Sequence, residues 1–128
     1  MKVLLDTHAF LWLMSDHPSL SATAKKVFLD SDNELILSAV SGFEIAVKHG
    51  LGKLMLSEPP IIFMRQRINN NNLLELPITM EHATHLQNLP QHHRDPFDRL
   101  LVAQAMVEGI PLLTADKQLS AYAIECIW

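Results

Sequence analysis

A single cysteine, Cys126, is the whole thiol content of the chain, so an intrachain disulfide framework and a cysteine-based zinc site are both excluded. Long apolar runs are also missing. The first candidate, Ala9 to Met14, has six residues and is flanked by Asp6, His8 and Asp16. A membrane helix needs roughly 20, so no membrane association is expected. Ala22-Thr23-Ala24 has the small residues of a signal cleavage site, but the short, interrupted stretch before it cannot serve as a signal core, and the expected location is the cytoplasm. An excess of basic residues is lacking too. With 10 Lys+Arg against 14 Asp+Glu the net charge is −4, which argues against a purely electrostatic nucleic-acid binder but is compatible with acids gathered in one metal pocket. No linker, repeat or low-complexity tract longer than the four asparagines at 69–72 interrupts the 128 residues. At 48% hydrophobic residues, one domain over 1–128 with one substantial core is predicted.

Lys2–Leu5 is a short apolar run that reads as a strand ending at Asp6, and Ala9–Met14 reads as a buried helix. After Pro18, the stripe Leu20, Ala24, Val27 and Phe28 predicts a second helix up to Asp30. Leu35–Leu37 is the second strand, and Ser41 opens a helix through about His49, closed by Gly50 and Gly52. Ser57-Glu58-Pro59-Pro60 starts a helix carrying Ile61, Ile62, Met64 and Ile68, with the asparagines as a turn. Leu73–Leu76 is a weak third strand, followed by a helix Thr79–Leu89 capped by Thr79 and stopped at Pro90. The strongest helix is Pro96–Glu108, opened by Asp95 and closed by Gly109; Ile110–Thr114 and Ala123–Trp128 are strands four and five. Strands separated by helices and never by hairpin signals predict parallel pairing, hence an α/β sheet of four to five strands with helices on both faces. In such sheets the functional crevice lies beyond the carboxyl ends of the strands.

Four acids belong at that edge. Asp6 directly follows strand one, Asp116 follows strand four, and Glu44 and Asp98 each lie three residues into a helix start, after Ser41 and Asp95. Each has an ordinary explanation: Ser41 to Glu44 fits a capping box, Asp95 to Asp98 a similar arrangement, and Asp6 and Asp116 could be N-caps. Caps accept Ser, Thr or Asn equally well, however, so capping alone requires neither four acids nor their meeting at one edge. Hard divalent cations choose carboxylate oxygens and water, and a cluster of acids is tolerable once such cations neutralise it. Two ions can activate water and stabilise a leaving oxygen, which points to phosphodiester hydrolysis.

The chain also carries an ordered series of motifs: Leu5-Asp6-Thr7-His8 with Leu11-Trp12; Ser38 to Glu44 with Lys48 and Leu51-Gly52-Lys53-Leu54; Leu89-Pro90; His93-Arg94-Asp95-Pro96-Phe97-Asp98-Arg99 with Ala103-Gln104-Ala105; and Thr114-Ala115-Asp116. In order and spacing this series resembles the PIN-domain ribonucleases, particularly toxins of the virulence-associated protein C (VapC) type from bacterial toxin-antitoxin pairs. Those relatives usually carry Trp where this chain has Phe43, a change that leaves the neighbouring Glu44 in place. The resemblance implies a PIN-like three-layer sandwich and an acidic site made of Asp6, Glu44, Asp98 and Asp116. It makes Asp6, Asp98 and Asp116 ligands of Mg²⁺ or Mn²⁺, direct or through water, and gives Glu44 the attacking water. It further implies endonucleolytic cleavage of single-stranded or looped RNA to a 5′-phosphate and a 3′-hydroxyl, a homodimer, and inhibition by a cognate antitoxin whose tail occupies the acidic groove.

Around the four acids, Thr7 and Thr114 are hydroxyls placed to bond the ligands or bound water, or simply to close turns. Asp95 is expected as a cap before Pro96, with contact to metal or substrate as the alternative. Arg99, Arg94, Lys48, His92 and His93 are candidates for phosphate contact at the rim, with pairing to Glu44 four residues earlier as the alternative for Lys48. His82 and His85 read as a solvated helix face, Trp12, Phe28, Phe97 and Met106 as core, and Arg65 and Arg67 as surface charge. A phosphatase would need a second Asp where His8 stands, and a receiver module would need an Asp where Pro77 and Ile78 follow the third strand. The remaining rivals are a non-catalytic RNA-binding or dimerisation module of the same fold and a structure-specific DNA nuclease.

Overall fold

The central strand is buried on both of its faces, which is why it is apolar at successive positions rather than at alternate ones. In the computed structural model, which describes residues 1–128, Val3, Leu4 and Leu5 of β1 (Lys2–Leu5) are fully buried. Parallel partners flank β1, with β2 (Glu34–Ser38) on one side and β4 (Leu112–Leu113) on the other. Beyond these lie β3 (Leu74–Leu76) and β5 (Cys126–Ile127), giving an all-parallel sheet of order β3-β2-β1-β4-β5.

Strand alternation divides the core between two layers. Val3, Leu5, Leu35, Leu37 and Leu113 face one side, where they meet α1 (Thr7–Ser15), α2 (Ala22–Leu29) and α4 (Pro60–Asn70) through Phe10, Ala24, Phe63 and Ile68. Leu4, Ile36 and Leu112 face the other, against Leu101, Val102 and Ala105 of α6 (Pro96–Glu108). The helix α3 (Ala39–Gly50) contributes to both layers, Ile45 to the first and Val40 to the second. The expected sheet covered by helices on both faces is therefore present. No helix is long and apolar enough to cross a membrane.

Several boundaries differ from the sequence reading. α1 begins at Thr7 because the Asp6 side chain caps it. α3 begins at Ala39 rather than Ser41, because Ser38 has extended backbone and its hydroxyl accepts the Val40 amide at 2.9 Å. α4 runs through Asn70, so only Asn71 and Asn72 turn the chain, the latter at φ 52°. The expected helix over 79–89 is shorter: α5 (Met80–His85) gives way to a 3₁₀ turn at Leu86–Asn88. The last two strands shrink to two residues each. Gly109 ends α6 in the left-handed region at φ 66°, and its amide caps the carbonyls of Ala105 and Met106.

His82 corrects a further expectation, since it is buried rather than solvated. Its Nδ1 accepts the Thr79 amide at 3.0 Å and the Gln104 amide group at 3.3 Å, so the ring proton sits on Nε2, which donates to Glu108 at 2.9 Å. Gln104 in turn accepts the Ser38 hydroxyl at 2.5 Å. This buried chain of hydrogen bonds ties α5 and α6 to the end of β2, where α3 and its Glu44 begin.

Candidate active site

Strand order reverses at β1, whose chain neighbour β2 lies to one side while β4 lies to the other, and such a switch point opens a crevice at the carboxyl edge. Asp6 leaves β1 and Thr114 leaves β4 at that crevice, and the Asp6 amide donates to the Leu113 carbonyl at 3.1 Å. Asp6 is nearly buried, and one carboxylate oxygen, Oδ1, accepts the Ala9 amide at 2.6 Å. Asp116 caps the 3₁₀ turn Lys117–Ala121 in the same manner, its Oδ1 accepting the Gln118 amide at 2.9 Å. Asp95 caps α6 through the amides of Phe97 (2.8 Å) and Asp98 (3.3 Å). Capping and clustering are thus compatible for Asp6 and Asp116, because a carboxylate has a second oxygen after one has closed a helix.

Glu44 is no cap. With the helix start moved back to Ser38, it lies in the second turn of α3, and Ser41 is instead buried and hydrogen-bonded to the Thr7 hydroxyl at 2.9 Å. The Glu44 carboxylate is almost wholly buried; Oε2 accepts Lys48 Nζ at 2.5 Å and Oε1 has no partner. An unpaired buried carboxylate oxygen is costly unless something positive reaches it.

Asp98 stands at the third position of α6, among acids. Its pKa is pushed from 3.8 up to about 7, first by burial and then by the charges of Asp95, Glu44 and Asp6, with His93 opposing. Burial also raises Asp6, against the Thr114 hydroxyl, the Ala9 amide and the charge of His8. Lys48 is raised by its hydrogen bond to Glu44, and further by the charges of Glu44, Asp95 and Asp98. Asp98 therefore feels the charges of Asp6 and Glu44, and Asp6 that of Glu44, across elements far apart in sequence. Asp98, Asp116 and His93 are brought together directly, with one potential ligand atom from each lying within 4.8 Å of the others.

The part of His93 in this group is what the sequence reading missed, having placed it at a phosphate-binding rim. Its Nε2 is 2.9 Å from Asp116 Oδ2 and 3.5 Å from Asp98 Oδ2. Its Nδ1 accepts the Asp95 amide at 3.0 Å, so in the neutral ring the proton is on Nε2 and is donated to Asp116. A ring fixed in that tautomer orients a carboxylate instead of binding a cation itself. Its neighbour in the Asp95-Pro96 turn, whose amide selects the tautomer, was the only sequence signal available.

The structure takes Arg99 in another direction. Its Nη1 donates to the Pro90 carbonyl (2.9 Å) and to the Tyr122 hydroxyl (3.2 Å), which anchors the loop carrying His93. Thr114 accepts the Asp116 amide at 3.0 Å. Arg94 and His92 are exposed, His92 lying edge-on to Tyr122. Arg65 and Arg67 pair with Glu75 and Glu58, as surface charges do.

The donor set fits a hard divalent cation: all oxygen, carboxylate-rich, one buried oxygen unpartnered, and an aspartate whose ionised form is disfavoured by its acidic neighbours. Acids gathered beyond the carboxyl ends of the strands, at the switch point of a parallel sheet, stand where this class of α/β fold holds its ligands. Residues 3–125 match the PIN domain family model, and the chain belongs to that family. It is 31% identical over 121 residues to ribonuclease VapC22 of Mycobacterium tuberculosis, covering 94% of this chain and 91% of that protein. Two solved structures share the fold. VapBC2 of Rickettsia felis, solved bound to a DNA fragment from its promoter, superposes with a TM-score of 0.72 at 15% identity over 98% of this chain and 97% of that one. VapC20 of Mycobacterium tuberculosis, a toxin that cleaves the sarcin-ricin loop, does so with a TM-score of 0.70 at 13% identity over 95% of each chain.

Proposed function

We propose that this protein is an Mg²⁺- or Mn²⁺-dependent endoribonuclease that hydrolyses RNA phosphodiester bonds in the cytoplasm, as the toxin of a type II toxin-antitoxin pair. The observation that carries the reading is the unpartnered Glu44 oxygen buried beside charge-coupled aspartates. Asp6, Asp98 and Asp116 would hold the ion. When bound, it would supply charge neutralisation at the scissile phosphate and a lowered pKa for the attacking water.

Glu44 orients that water and takes its proton as the oxygen attacks phosphorus. The bond from phosphorus to O3′ breaks, leaving a 5′-phosphate on one fragment and, once protonated by solvent, a 3′-hydroxyl on the other. His93 holds Asp116 through its Nε2–H, Asp95 fixes the start of α6 and the His93 tautomer, and Thr114 braces Asp6 and the Asp116 turn. Thr7 orients α1 against α3 through Ser41, Lys48 balances Glu44, and Arg99 anchors the His93 loop.

Two protein partners belong to the same reading. α3 and α4 line a groove of about 380 Å³ with Gly42, Ala46, Ile61 and Met64, and elsewhere leave Phe43, Val47 and Ile62 exposed, the kind of apolar surface that a protein covers. We assign these faces to a homodimer and to a cognate antitoxin; a neighbour solved as a VapBC2 complex supports the second.

The test is purified protein with a labelled structured RNA, with and without Mg²⁺, beside an Asp6→Asn variant and a parallel single-stranded DNA substrate. Metal-dependent RNA cleavage that disappears in the variant is expected. Equal cleavage by both proteins would remove the site assignment, and preferential cleavage of DNA would remove the substrate.

A further inference from the structure

A second cavity adjoins the acidic crevice. It encloses about 430 Å³ between α1, α3 and the turn at 51–54, within the roughly 300–1,000 Å³ range of sites that hold small ligands. The buried Thr7 and Glu44 line it together with His8, Trp12, Lys48 and Lys53. From these residues we infer that the cavity binds one nucleotide of single-stranded RNA next to the scissile bond, with a phosphate between Lys48 and Lys53 and the base against the Trp12–His8 wall. This rests on the ribonuclease reading and extends it to where the strand lies.

The two cations are placed together by the end of α3. Gly52, at φ 72°, reverses the chain so that the Lys53 amide donates to the Lys48 carbonyl at 2.9 Å. The His49 ring then donates to the Leu54 carbonyl at 3.0 Å and pins the turn against the helix. Acids dominate the crevice itself, so a polyanion needs compensating charge beside it; this wall offers Lys53, which has no acidic partner, next to the part-exposed Lys48 that is paired with Glu44. The aromatic wall is fixed as well: Trp12 is half-buried, His17 stacks on it at 5.3 Å and 17°, and His8 lies 5.9 Å away on the same helix. A rigid indole beside a lysine pair provides a stacking surface and a phosphate contact, which together suit a nucleotide without selecting its sequence. By sequence Trp12 reads as core; its place in the lining of a cavity shared with Glu44 gives it this second part.

Trp12 is also the reporter. In a Trp128→Phe background carrying Asp6→Asn to prevent cleavage, a six-nucleotide single-stranded RNA in Mg²⁺ should quench Trp12 emission, less so as salt rises. Lys53→Met should weaken that binding at least fivefold and lower the salt slope by about one, whereas Lys26→Met on α2 should change neither. RNA binding seen by anisotropy with unchanged Trp12 emission, or equal behaviour of the two lysine variants, would overturn the inference while wild-type cleavage still upheld the ribonuclease reading. Quenching by a glutamate-rich peptide but not by RNA at equal ionic strength would give the cavity to a protein segment and overturn it too. Absence of RNA cleavage by the wild type would instead remove the underlying reading.

Discussion

His93 and Asp116 meet at 2.9 Å, and the histidine can only be the donor, because its other ring nitrogen is occupied by the Asp95 amide at 3.0 Å. The contact fixes one oxygen of a candidate ligand while the Gln118 amide holds the other end of the same carboxylate. His93→Ala should therefore leave the fold intact and reduce cleavage by about 10- to 100-fold, the usual cost of losing an outer partner of a ligand. Activity as a function of Mg²⁺ concentration is the measurement, and unchanged metal dependence would show that Asp116 needs no such support.

Asp98 makes the metal-free protein sensitive to pH. Its carboxyl titrates at about 7 in the folded chain against 3.8 ordinarily, so between these values the folded state keeps a proton that the unfolded state has lost. Stability must then fall as pH rises through that window and be greater on its acid side. In the absence of divalent ions, Asp98→Asn should raise stability at about pH 7.5 by roughly 1–3 kcal/mol, after allowance for partial solvent exposure, and flatten the slope. Chemical denaturation across the window tests this. Added Mg²⁺ should stabilise the wild type more than the variant.

Lys48 and Glu44 form a pair of unequal burial, the carboxylate being 3% exposed and the ammonium stem 35%. Removing the cation alone leaves the buried charge without its partner. Lys48→Met should lower stability by roughly 1–3 kcal/mol, while Glu44→Gln with Lys48→Met should recover most of the loss. A double-mutant cycle by urea denaturation isolates the coupling. Simple additivity of the two changes would mean that the ion pair does not hold Glu44 in place.

Gln104 sits at the centre of the buried network that joins His82 to Ser38. Gln104→Leu removes an acceptor from the Ser38 hydroxyl and a donor from His82 Nδ1 without opening a large cavity. A loss of about 1–3 kcal/mol is expected, since the buried Ser38 hydroxyl loses its acceptor and the Pro77 carbonyl its donor, while His82 Nδ1 keeps the Thr79 amide. Thermal unfolding is the readout. Cleavage per folded molecule should be nearly unchanged if the network acts only through stability.

The sequence by itself determined the strands, their parallel sense and the position of Asp6 and Asp116 beyond β1 and β4, because apolar runs separated by helices permit little else. It also made Asp98 readable at the start of α6, where Asp95 and Pro96 announce the helix. Local signals put the α3 cap at Ser41, and the structure puts it at Ser38. Ser38 and Ser41 both suit the role by composition, and only the contact of Ser41 with Thr7 on another helix decides between them. The same holds for His82, which has the spacing of a solvated face yet is covered once α6 packs over α5. His93 shows the limit most clearly: its chemistry follows from which nitrogen carries the proton, and that is set by an amide two residues away and a carboxylate 23 residues away in the chain. Periodicity and caps are short-range properties carried by the chain, whereas burial, tautomer and charge coupling arise only when distant segments share a dielectric and a hydrogen bond, so these were left for the tertiary structure to decide.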